Sequence, residues 1–409
     1  MSCAGAFLCS LDSALNVAFP ELARQFHLLP HDLTLLVVLY HIPIAIMTMV
    51  GGTVGDRLTH ARVFTAGVVL TTIALPVCAL APNQAALLGA RVLQGIGAGL
   101  VFGTAPALIT LGVPPRYRAR GLGLLNVAAG LALAVAPAAA GVAIDLAGWR
   151  SVFWFRVPIA LALLPLVMTW RPTDIPSLSP ITAPITPSPL IPAVSVSLLV
   201  SGVVNLLANS ALIVLYLLGP LFLSDTLGAS ATRSGFLFML VPLGTALGGL
   251  VSGVLIGRLS PWLLIVLGLG LETVGLSLLS GTSAAGSESR TALAFGLAGL
   301  GLGTFQVPNM ASVMSLVPSA SQGFGGGMIA TTRTLGIVAG AIVSPWLFES
   351  RLALHSGFPS GSSATGRSAS EAAAFADVLW DATVVAGAAL GLASTRAIGP
   401  RRRRSVDQR

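Results

Sequence analysis

Long apolar segments follow one another along nearly the whole chain of 409 residues, and this feature constrains its fold more than any other. Only 9% of the residues are charged and 55% are hydrophobic, whereas a soluble protein carries roughly 25% charged residues. About 20 apolar residues cross a bilayer as a helix, and splitting the sequence at its polar gaps predicts twelve such segments. Long alternating polar and apolar stretches, which favour a β-barrel, are nearly absent. We therefore predict an all-α membrane protein with twelve transmembrane helices.

Two polar stretches divide this series of spans. Residues 172–192, "PTDIPSLSPITAPITPSPLIP", are rich in proline and lack a helical period, which is typical of a semi-extended linker. Six predicted spans precede this stretch and six follow it. The sequence therefore predicts an N-terminal six-helix bundle at 1–171, a cytoplasmic linker at 172–192, a C-terminal six-helix bundle at 193–397 and a basic cytoplasmic tail at 398–409.

Three short sequence matches recur at one spacing. "GGTVGDRL" ends at Leu58 and "GVLIGRL" ends at Leu259, Pro106 recurs as Pro308, and "RGLGLL" is similar to "QGFGGG". Each pair is separated by 201 or 202 residues. The same order in both halves indicates parallel repeats, related by an axis along the membrane normal, as in some transporters. At this offset Arg91 corresponds to the uncharged Leu293, so the repeat does not explain that charge.

The basic residues indicate orientation rather than a nucleic-acid partner. All 22 of them are arginine, and most lie in the polar gaps between spans. If both termini are cytoplasmic, more of these arginines lie on the cytoplasmic side than outside, which agrees with the positive-inside rule. The sequence therefore predicts a multi-pass protein of the cell (plasma or inner) membrane. Cys3, Cys9 and Cys78 lie in apolar runs without a CxxC pattern or a nearby histidine, so we expect no disulfide and no metal site.

Arg91 is the only charge within a long apolar run that contains "LGARVLQGIGAG". A charged side chain at the bilayer centre costs at least ~2.5 kcal/mol unless it is compensated. Arg91, Gln94 and Gly95 share a helix face at spacing i, i+3, i+4, and Gly95, Gly99 and Gly103 form a stripe that permits close helix contact. We therefore expect Arg91 to point at protein partners rather than at lipid.

Four motifs together resemble one family. They are "GGTVGDRLTHAR" after the second span, Arg-x-x-Gln-Gly in the fourth, "GLALAVAPAAAGVAI" in the fifth and "LDSALNVAFP" in the first. The chain is similar to major facilitator superfamily transporters of the drug:proton antiporter type. The resemblance implies two pseudo-symmetric six-helix bundles and proton-coupled export of amphiphilic small molecules by alternating access, with a role in multidrug efflux and antibiotic resistance. It further implies a small-molecule substrate, protons and the lipid bilayer as partners, no cofactor, no enzyme activity and a monomer.

The resemblance also assigns roles to individual residues. The proton-coupling candidates are Asp12, Arg91 and Arg333. The candidates for a cytoplasmic gate are Gly52, Asp56, Arg57, Arg62, Arg118 and Arg120. The candidates for the substrate cavity are Asn16, His41, Gln94, Asn126, Pro137, Asn205, Asn209, Gln306 and Asn309. Structural alternatives stay open: the gate charges can serve topology alone, and Asp12 and Arg91 can be a vestibule group and a buried charge pair. Arg156 is predicted to lie in an outer loop.

Two other functions remain possible from the sequence. One is a proton-coupled importer of a small metabolite, although the few polar cavity candidates favour an apolar cargo. The other is a membrane scaffold or sensor that transports nothing. A nucleotide-driven pump is excluded for this chain because it has no lysine for a phosphate-binding loop. A membrane hydrolase finds no support, because neither His-Glu-x-x-His nor Gly-x-Ser-x-Gly occurs.

Overall fold

A computed structural model describes most of the chain. The described residues are 1–169, 196–281, 287–317, 322–356 and 364–397, without the side chains of a few further positions. The predicted linker at 172–192 and the basic tail at 398–409 lie outside these residues. The bundle boundaries at 171 and 193 therefore stay predictions.

The described chain is built from fifteen helices. In the first half they are α1 (Ser2–Ser10), α2 (Ala14–Val17), α3 (Phe19–Phe26), α4 (Pro30–Leu58), α5 (His60–Ala79), α6 (Gln84–Gly112), α7 (Arg118–Ala147), α8 (Ser151–Trp154) and α9 (Val157–Met168). In the second half they are α10 (Val196–Leu221), α11 (Ala231–Leu255), α12 (Pro261–Ser280), α13 (Glu288–Leu316), α14 (Gln322–Ser356) and α15 (Ala364–Ala397).

Twelve spans are present if a bent pair of segments is taken as one. Eleven helical segments are long and apolar enough to cross a membrane. The twelfth is formed by Ser2–Val17 and Phe19–Phe26, which meet at an angle of 58°. A 3₁₀ turn at Leu11–Ser13 interrupts the first of these two segments. The prediction of twelve transmembrane helices in two six-helix bundles is confirmed.

Polar side chains cap the N-termini of several of these helices. The side-chain Oδ1 of Asn83 accepts a hydrogen bond from the Ala86 amide at 2.9 Å, and Ser260 Oγ accepts one from the Leu263 amide at 3.3 Å. Ser230 Oγ does the same for the amide of Arg233 at 3.3 Å. Such caps satisfy the first free amides of a helix, which would otherwise be left unpaired near the apolar phase.

Glycine allows the helices of the first half to approach backbone to backbone. A Cβ atom at Gly95 of α6 would lie 2.5 Å from the carbonyl oxygen of Tyr40 on α4. A Cβ atom at Gly97 would lie 2.6 Å from the Thr71 hydroxyl and 3.0 Å from the Gly67 carbonyl oxygen on α5. The predicted small-residue stripe of α6 therefore packs α4 and α5 closely, as in other membrane helix pairs.

The second half repeats these contacts with an altered register. Gly299 of α13 approaches the carbonyl of Val241 on α11, and Gly301 approaches Gly268 and Glu272 on α12. The offset is 201 residues from α4 to α11 and from α5 to α12, but 204 residues from α6 to α13. The difference equals the three extra residues between α12 and α13, compared with the four that separate α5 from α6.

The packing therefore corrects one detail of the repeat. A single offset of 201 or 202 residues is wrong for α6 and α13, since the counterpart of Arg91 is Phe295 rather than Leu293. Phe295 is buried against Phe238, with ring centroids 5.9 Å apart. The counterpart remains uncharged, so Arg91 is a feature of the first half alone.

The two halves meet at one face of the membrane domain, which we call the closed face. It contains the end of α3, the start of α4, the end of α7, the start of α11 and the end of α14. Here the Thr34 hydroxyl donates to the Ala341 carbonyl at 2.9 Å, and His31 Nδ1 lies 2.6 Å from a carboxylate oxygen of Glu349. Gly141 of α7 also approaches the backbone of α11. Met1 lies at the opposite face, because one bent span separates it from the closed face.

We predict that bulky side chains at the two equivalent glycines disrupt packing to a similar degree. Overpacking a tightly packed site costs about 1–3 kcal/mol, so Gly95→Leu and Gly299→Leu should each lower the melting temperature in detergent. Gly89→Leu is the control, because no atom lies within 4 Å of a Cβ at this exposed position on α6. Equal melting temperatures for all three variants would refute the repeated contact.

Candidate functional site

The break in the first span places a carboxylate inside the membrane domain. Asp12 lies in the 3₁₀ turn at Leu11–Ser13, between α1 and α2. Its side chain is 11% exposed, whereas the side chains of Arg91 on α6 and Arg156 before α9 are 2% and 1% exposed. The three ions therefore meet where little water reaches them.

Asp12 and Arg91 form a bidentate ion pair. Arg91 Nη1 donates to Asp12 Oδ1 at 2.6 Å, and Arg91 Nη2 donates to Oδ2 at 2.8 Å. The Nε of Arg91 donates to the Leu36 carbonyl at 3.1 Å. Planar guanidinium and carboxylate groups that match in this way give short, directional hydrogen bonds. Asp12 and Arg91, both predicted coupling residues, are thus in direct contact.

Arg156 is a second cation on the same carboxylate, and the sequence-based prediction of an outer loop for it is wrong. Its Nη1 donates to Asp12 Oδ1 at 3.1 Å, and its Nε donates to the Val152 carbonyl at 3.0 Å. Its Nη2 is buried and has no hydrogen-bond partner among the described residues. The available signal was its place within the apolar segment "WFRVP", where a loop charge is out of place.

Two neighbours hold the pair in this geometry. The Gln94 amide donates to Asp12 Oδ1 at 3.1 Å, and its carbonyl oxygen accepts from Arg91 Nη1 at 2.7 Å. The guanidinium carbon of Arg91 lies 4.0 Å from the ring centroid of Tyr40, a cation–π contact. Gln94 is therefore part of the ion cluster, although the sequence-based prediction assigned it to the cavity.

The cluster carries a net positive charge. One carboxylate faces two guanidiniums, so the sum is +1 when all three groups are ionised. Protonation of Asp12 would remove the negative charge that binds Arg91 and Arg156 here. The first span, α6 and the residue before α9 would then lose their common ionic contact. Protonation of Asp12 would therefore weaken one contact that three separate segments of the chain share.

His41 and Arg333 lie near the cluster from opposite halves. His41 on α4 bonds through Nδ1 to the Val37 carbonyl at 2.9 Å, and its ring interacts electrostatically with Asp12, Arg91 and Arg333. Arg333 on α14 is exposed and has no hydrogen-bond or ion-pair partner within the described part of the chain. Asn16 on α2 is half-buried. Arg333 therefore does not join Asp12 and Arg91 directly, but its charge faces the same region.

Polar residues of the second half form a chain that runs between helices. Asn205 on α10 donates to the Ile329 carbonyl at 3.0 Å and the Thr332 hydroxyl at 2.8 Å on α14. Asn209 donates to the Asn205 carbonyl at 2.7 Å, and Gln306 on α13 donates to Asn209 Oδ1 at 3.5 Å. Asn205 and Asn209 are thus buried in helix contacts, whereas Gln306 is partly exposed.

Three further cavity candidates have different surroundings. Asn309 is 1% exposed and donates to the Ser201 carbonyl at 3.5 Å, so it lies between α13 and α10. Pro137 is buried where α7 meets α11, with its carbonyl against Gly235. Asn126 is exposed on α7, on the same helix face as Pro137, since eleven residues are close to three full turns. Asn309 and Pro137 therefore pack helices, and Asn126 is accessible.

The gate candidates lie at the face opposite to the closed face. Gly52 on α4 is half-buried, with the Gly103 carbonyl 3.8 Å from the position of a Cβ, and Arg62 and Arg120 are exposed. The side chains of Asp56, Arg57 and Arg118 lie outside the described residues. The halves meet at the closed face and not at these residues, so the predicted gate remains a prediction for the other conformation.

The contact between α7 and α11 at the closed face consists of hydrogen bonds from backbone amides to a carboxylate. The carboxylate of Asp145, near the end of α7, accepts hydrogen bonds from the amides of Ala231 at 3.1 Å and Thr232 at 2.8 Å. These amides form the first turn of α11, where the helix dipole favours a negative charge. One half therefore caps a helix of the other, and Asp145 is a contact that the sequence analysis missed.

Glu272 is a second buried carboxyl group, on α12 of the second half. Its side chain is fully buried, and neither oxygen has a hydrogen-bond partner among the described residues. In the repeat it replaces Thr71 of α5, since both lie beside equivalent glycines. It lies apart from the ion cluster, which belongs to the first half.

Comparison with known proteins identifies relatives of the whole chain. A family model described as Major Facilitator Superfamily matches residues 1–341. The riboflavin transporter RibZ of Clostridioides difficile is 23% identical, over 88% of this chain and 90% of its own length. The drug efflux pump JefA of Mycobacterium tuberculosis is 27% identical, over 84% and 79%. The chain also resembles the crystal structure of a bacterial homolog of the human lysosomal transporter Spinster in an inward-facing and occupied conformation, with a TM-score of 0.77, 17% identity, and 97% and 95% coverage.

We predict unequal costs for the two arginines of the ion cluster. Arg91→Leu leaves Asp12 with one weaker partner, and breaking a buried ion pair costs about 3–5 kcal/mol. Arg156→Leu retains the bidentate pair and removes the excess charge, so it should lower the melting temperature less. In the Asp12→Asn/Arg91→Leu double variant the loss should be smaller than the sum of the single losses. Additive losses, or an Arg156→Leu variant that is the less stable one, would contradict this geometry.

We also predict that Asp145→Ala opens the closed face. The test uses Thr34→Cys in a background without Cys3, Cys9 and Cys78, because Thr34 is buried where the halves meet. Maleimide labelling in detergent should become several-fold faster when Asp145 is removed. Asp381→Ala is the control, because this carboxylate pairs with Arg351 within the second half. Equal labelling rates in both variants would show that Asp145 does not hold the halves together.

Proposed function

Because the chain belongs to the Major Facilitator Superfamily, and is thus a multi-pass secondary transporter, we propose that it exports amphiphilic small molecules in exchange for protons. In this proposal the protein lies in the cell membrane with both termini in the cytoplasm. It acts as a monomer. The closed face is then the outer face, and the described conformation opens towards the cytoplasm.

The ion cluster of Asp12, Arg91 and Arg156 is the observation that carries this proposal. A carboxylate buried in a membrane domain is costly and is retained where it has a function. Asp12 can take up a proton once the guanidiniums withdraw from it, and it releases the proton when they return. Because the three groups come from the first span, α6 and the segment before α9, a change in helix position alters both contacts together. Proton binding and helix movement are therefore coupled at Asp12.

Alternating access follows from the contacts between the halves. The closed face is held by Asp145 at the start of α11, by His31 with Glu349, and by Thr34 with Ala341. These few polar contacts can break and re-form as the two bundles move against each other, while the helices around Asp12 shift within the first bundle. In the opposite state, the predicted gate of Gly52, Asp56, Arg57, Arg62, Arg118 and Arg120 would close the cytoplasmic face. A substrate between the halves is then exposed to one side at a time.

The nature of the cargo is inferred from the polar residues and from a relative. Asn205, Asn209 and Asn309 are engaged in helix contacts, which leaves Asn16, Asn126 and Gln306 as partly exposed amides. A site with so few polar groups fits a cargo that is mostly apolar. The relative JefA is named as a drug efflux pump, which supports export.

Import of a small metabolite is the second candidate function. The relative RibZ is named as a riboflavin transporter, and the same fold can carry solutes in either direction. A non-transporting scaffold or sensor is a third candidate, and it predicts that the ion cluster is not needed for any flux. Measuring the direction and the proton dependence of transport separates the three.

The test follows dye movement in cells that lack their own efflux pumps. A panel of neutral, anionic and cationic amphiphilic dyes is loaded, and we expect this protein to lower the accumulation of at least one of them. Collapse of the proton gradient should abolish the effect. Asp12→Asn should reduce gradient-driven efflux at least tenfold, because it removes the group that takes up the proton.

Asp32→Asn is the matched control, since this carboxylate lies at the start of α4 and accepts a hydrogen bond from the Leu29 amide at 3.0 Å. It should leave efflux unchanged. Uptake of a dye instead of its loss would favour the importer. Full efflux in the Asp12→Asn variant would refute the proposed role of the cluster.

A further inference from the structure

The exposed guanidinium of Arg333 is the feature that the proposed function leaves without a role. It lies on α14, six residues into the span Met328–His355. Within the described residues it has no carboxylate or carbonyl partner. An unpaired cation in a membrane interior costs several kcal/mol if it is left in lipid. The position therefore implies water or a ligand beside this side chain.

Helix geometry directs Arg333 into the space between the halves. Gly336 and Gly340 of the same helix pack against Leu206 and Ser210 on α10, and Ala341 contacts Thr34 on α4. At 100° per residue, position 333 lies between these two contact faces. Since α10 belongs to one half and α4 to the other, the side chain points between them.

The charges and polar groups near Arg333 agree with this direction. The charge of Arg333 interacts with the ring of His41 on α4 and with the hydroxyl of Tyr216 on α10. His41 interacts in turn with Asp12 and Arg91. Arg333 and the ion cluster therefore lie on opposite sides of His41, in opposite halves.

The charges in this region do not balance. Asp12 supplies one negative charge, while Arg91, Arg156 and Arg333 supply three positive charges. Several other carboxylates of the described chain have partners of their own, since Asp145 accepts from α11 and Asp381 and Asp377 pair with Arg351 and His355 on α14, and Glu272 is buried within the second half. The space between the halves is thus positive by about two charges, while the other groups that face it are few and polar.

We infer that the cargo is an anionic amphiphile, whose carboxylate, sulfonate or phosphate binds Arg333 between the halves. This inference rests on the proposed function for the transport of that cargo, but binding can be tested without transport. The guanidinium offers up to five donors in a planar fork that matches such oxyanions. A cationic amphiphile meets two like charges here and binds weakly.

The experiment measures dye binding to the purified full chain in detergent, with no proton gradient. Carboxyfluorescein is anionic and rhodamine 6G is cationic, and both have the same xanthene ring system. Fluorescence anisotropy, corrected with protein-free micelles, should show at least tenfold tighter binding of carboxyfluorescein. Arg333→Gln should weaken carboxyfluorescein binding about tenfold and leave rhodamine 6G unchanged or tighter. Arg333→Lys, which retains the charge, should stay within about threefold of the parent protein.

Arg351→Gln is the matched control, because it changes the same residue type on α14, where Arg351 pairs with Asp381 at 3.1 Å. It should bind carboxyfluorescein as the parent does. Equal affinity for the two dyes, no change in Arg333→Gln, or the same loss in Arg351→Gln would each overturn the inference. Gradient-driven efflux confined to cationic dyes would support the proposed export and refute the anionic cargo. Binding of the anionic dye without any gradient-driven flux would refute the export and support anion binding at Arg333.

Discussion

The membrane interior offers no water to solvate an ion, and the contact between Asp12 and Arg91 meets this constraint. Each ion alone would be too costly to bury, and the bidentate geometry makes the two acceptable together. The contact lies at the break in the first span at Leu11–Ser13 and beside the close approach of α6 to α4. The Leu36 carbonyl of α4 accepts a further hydrogen bond from Arg91, so this approach also helps to satisfy the guanidinium.

Arg156 changes the character of this pair. A balanced pair would be a static part of the core, whereas a second guanidinium on one carboxylate leaves an excess positive charge and an unpaired Nη2 atom. Such an unsatisfied buried group is costly in a single state, and it can be better satisfied in another. The coupling role proposed above uses this imbalance, since a second conformation could satisfy Arg156 better.

The sequence predicted the fold well because the length of an apolar segment is a local property. Twelve spans, and Asp12 and Arg91 as candidate partners, could be found without coordinates, the latter through resemblance to a family. The contact between Arg156 and Asp12 could not be predicted from the sequence, because 144 residues separate the two and the segment around Arg156 resembles an outer loop. Similarly, Asn205 and Asn309 resemble cavity residues in the sequence, but their orientation depends on helix rotation, which composition does not encode.

The loop before α13 has a consequence for the history of this chain. The glycine contacts of the two halves were retained while three residues were gained or lost between two helices. Three residues added within a helix would rotate every later side chain by about 300° and shift it by about 4.5 Å along the axis. Each glycine would then be separated from its neighbour. A change in length was thus tolerated between helices, and the buried helix contacts preserve the correspondence of the two halves better than a single sequence offset does.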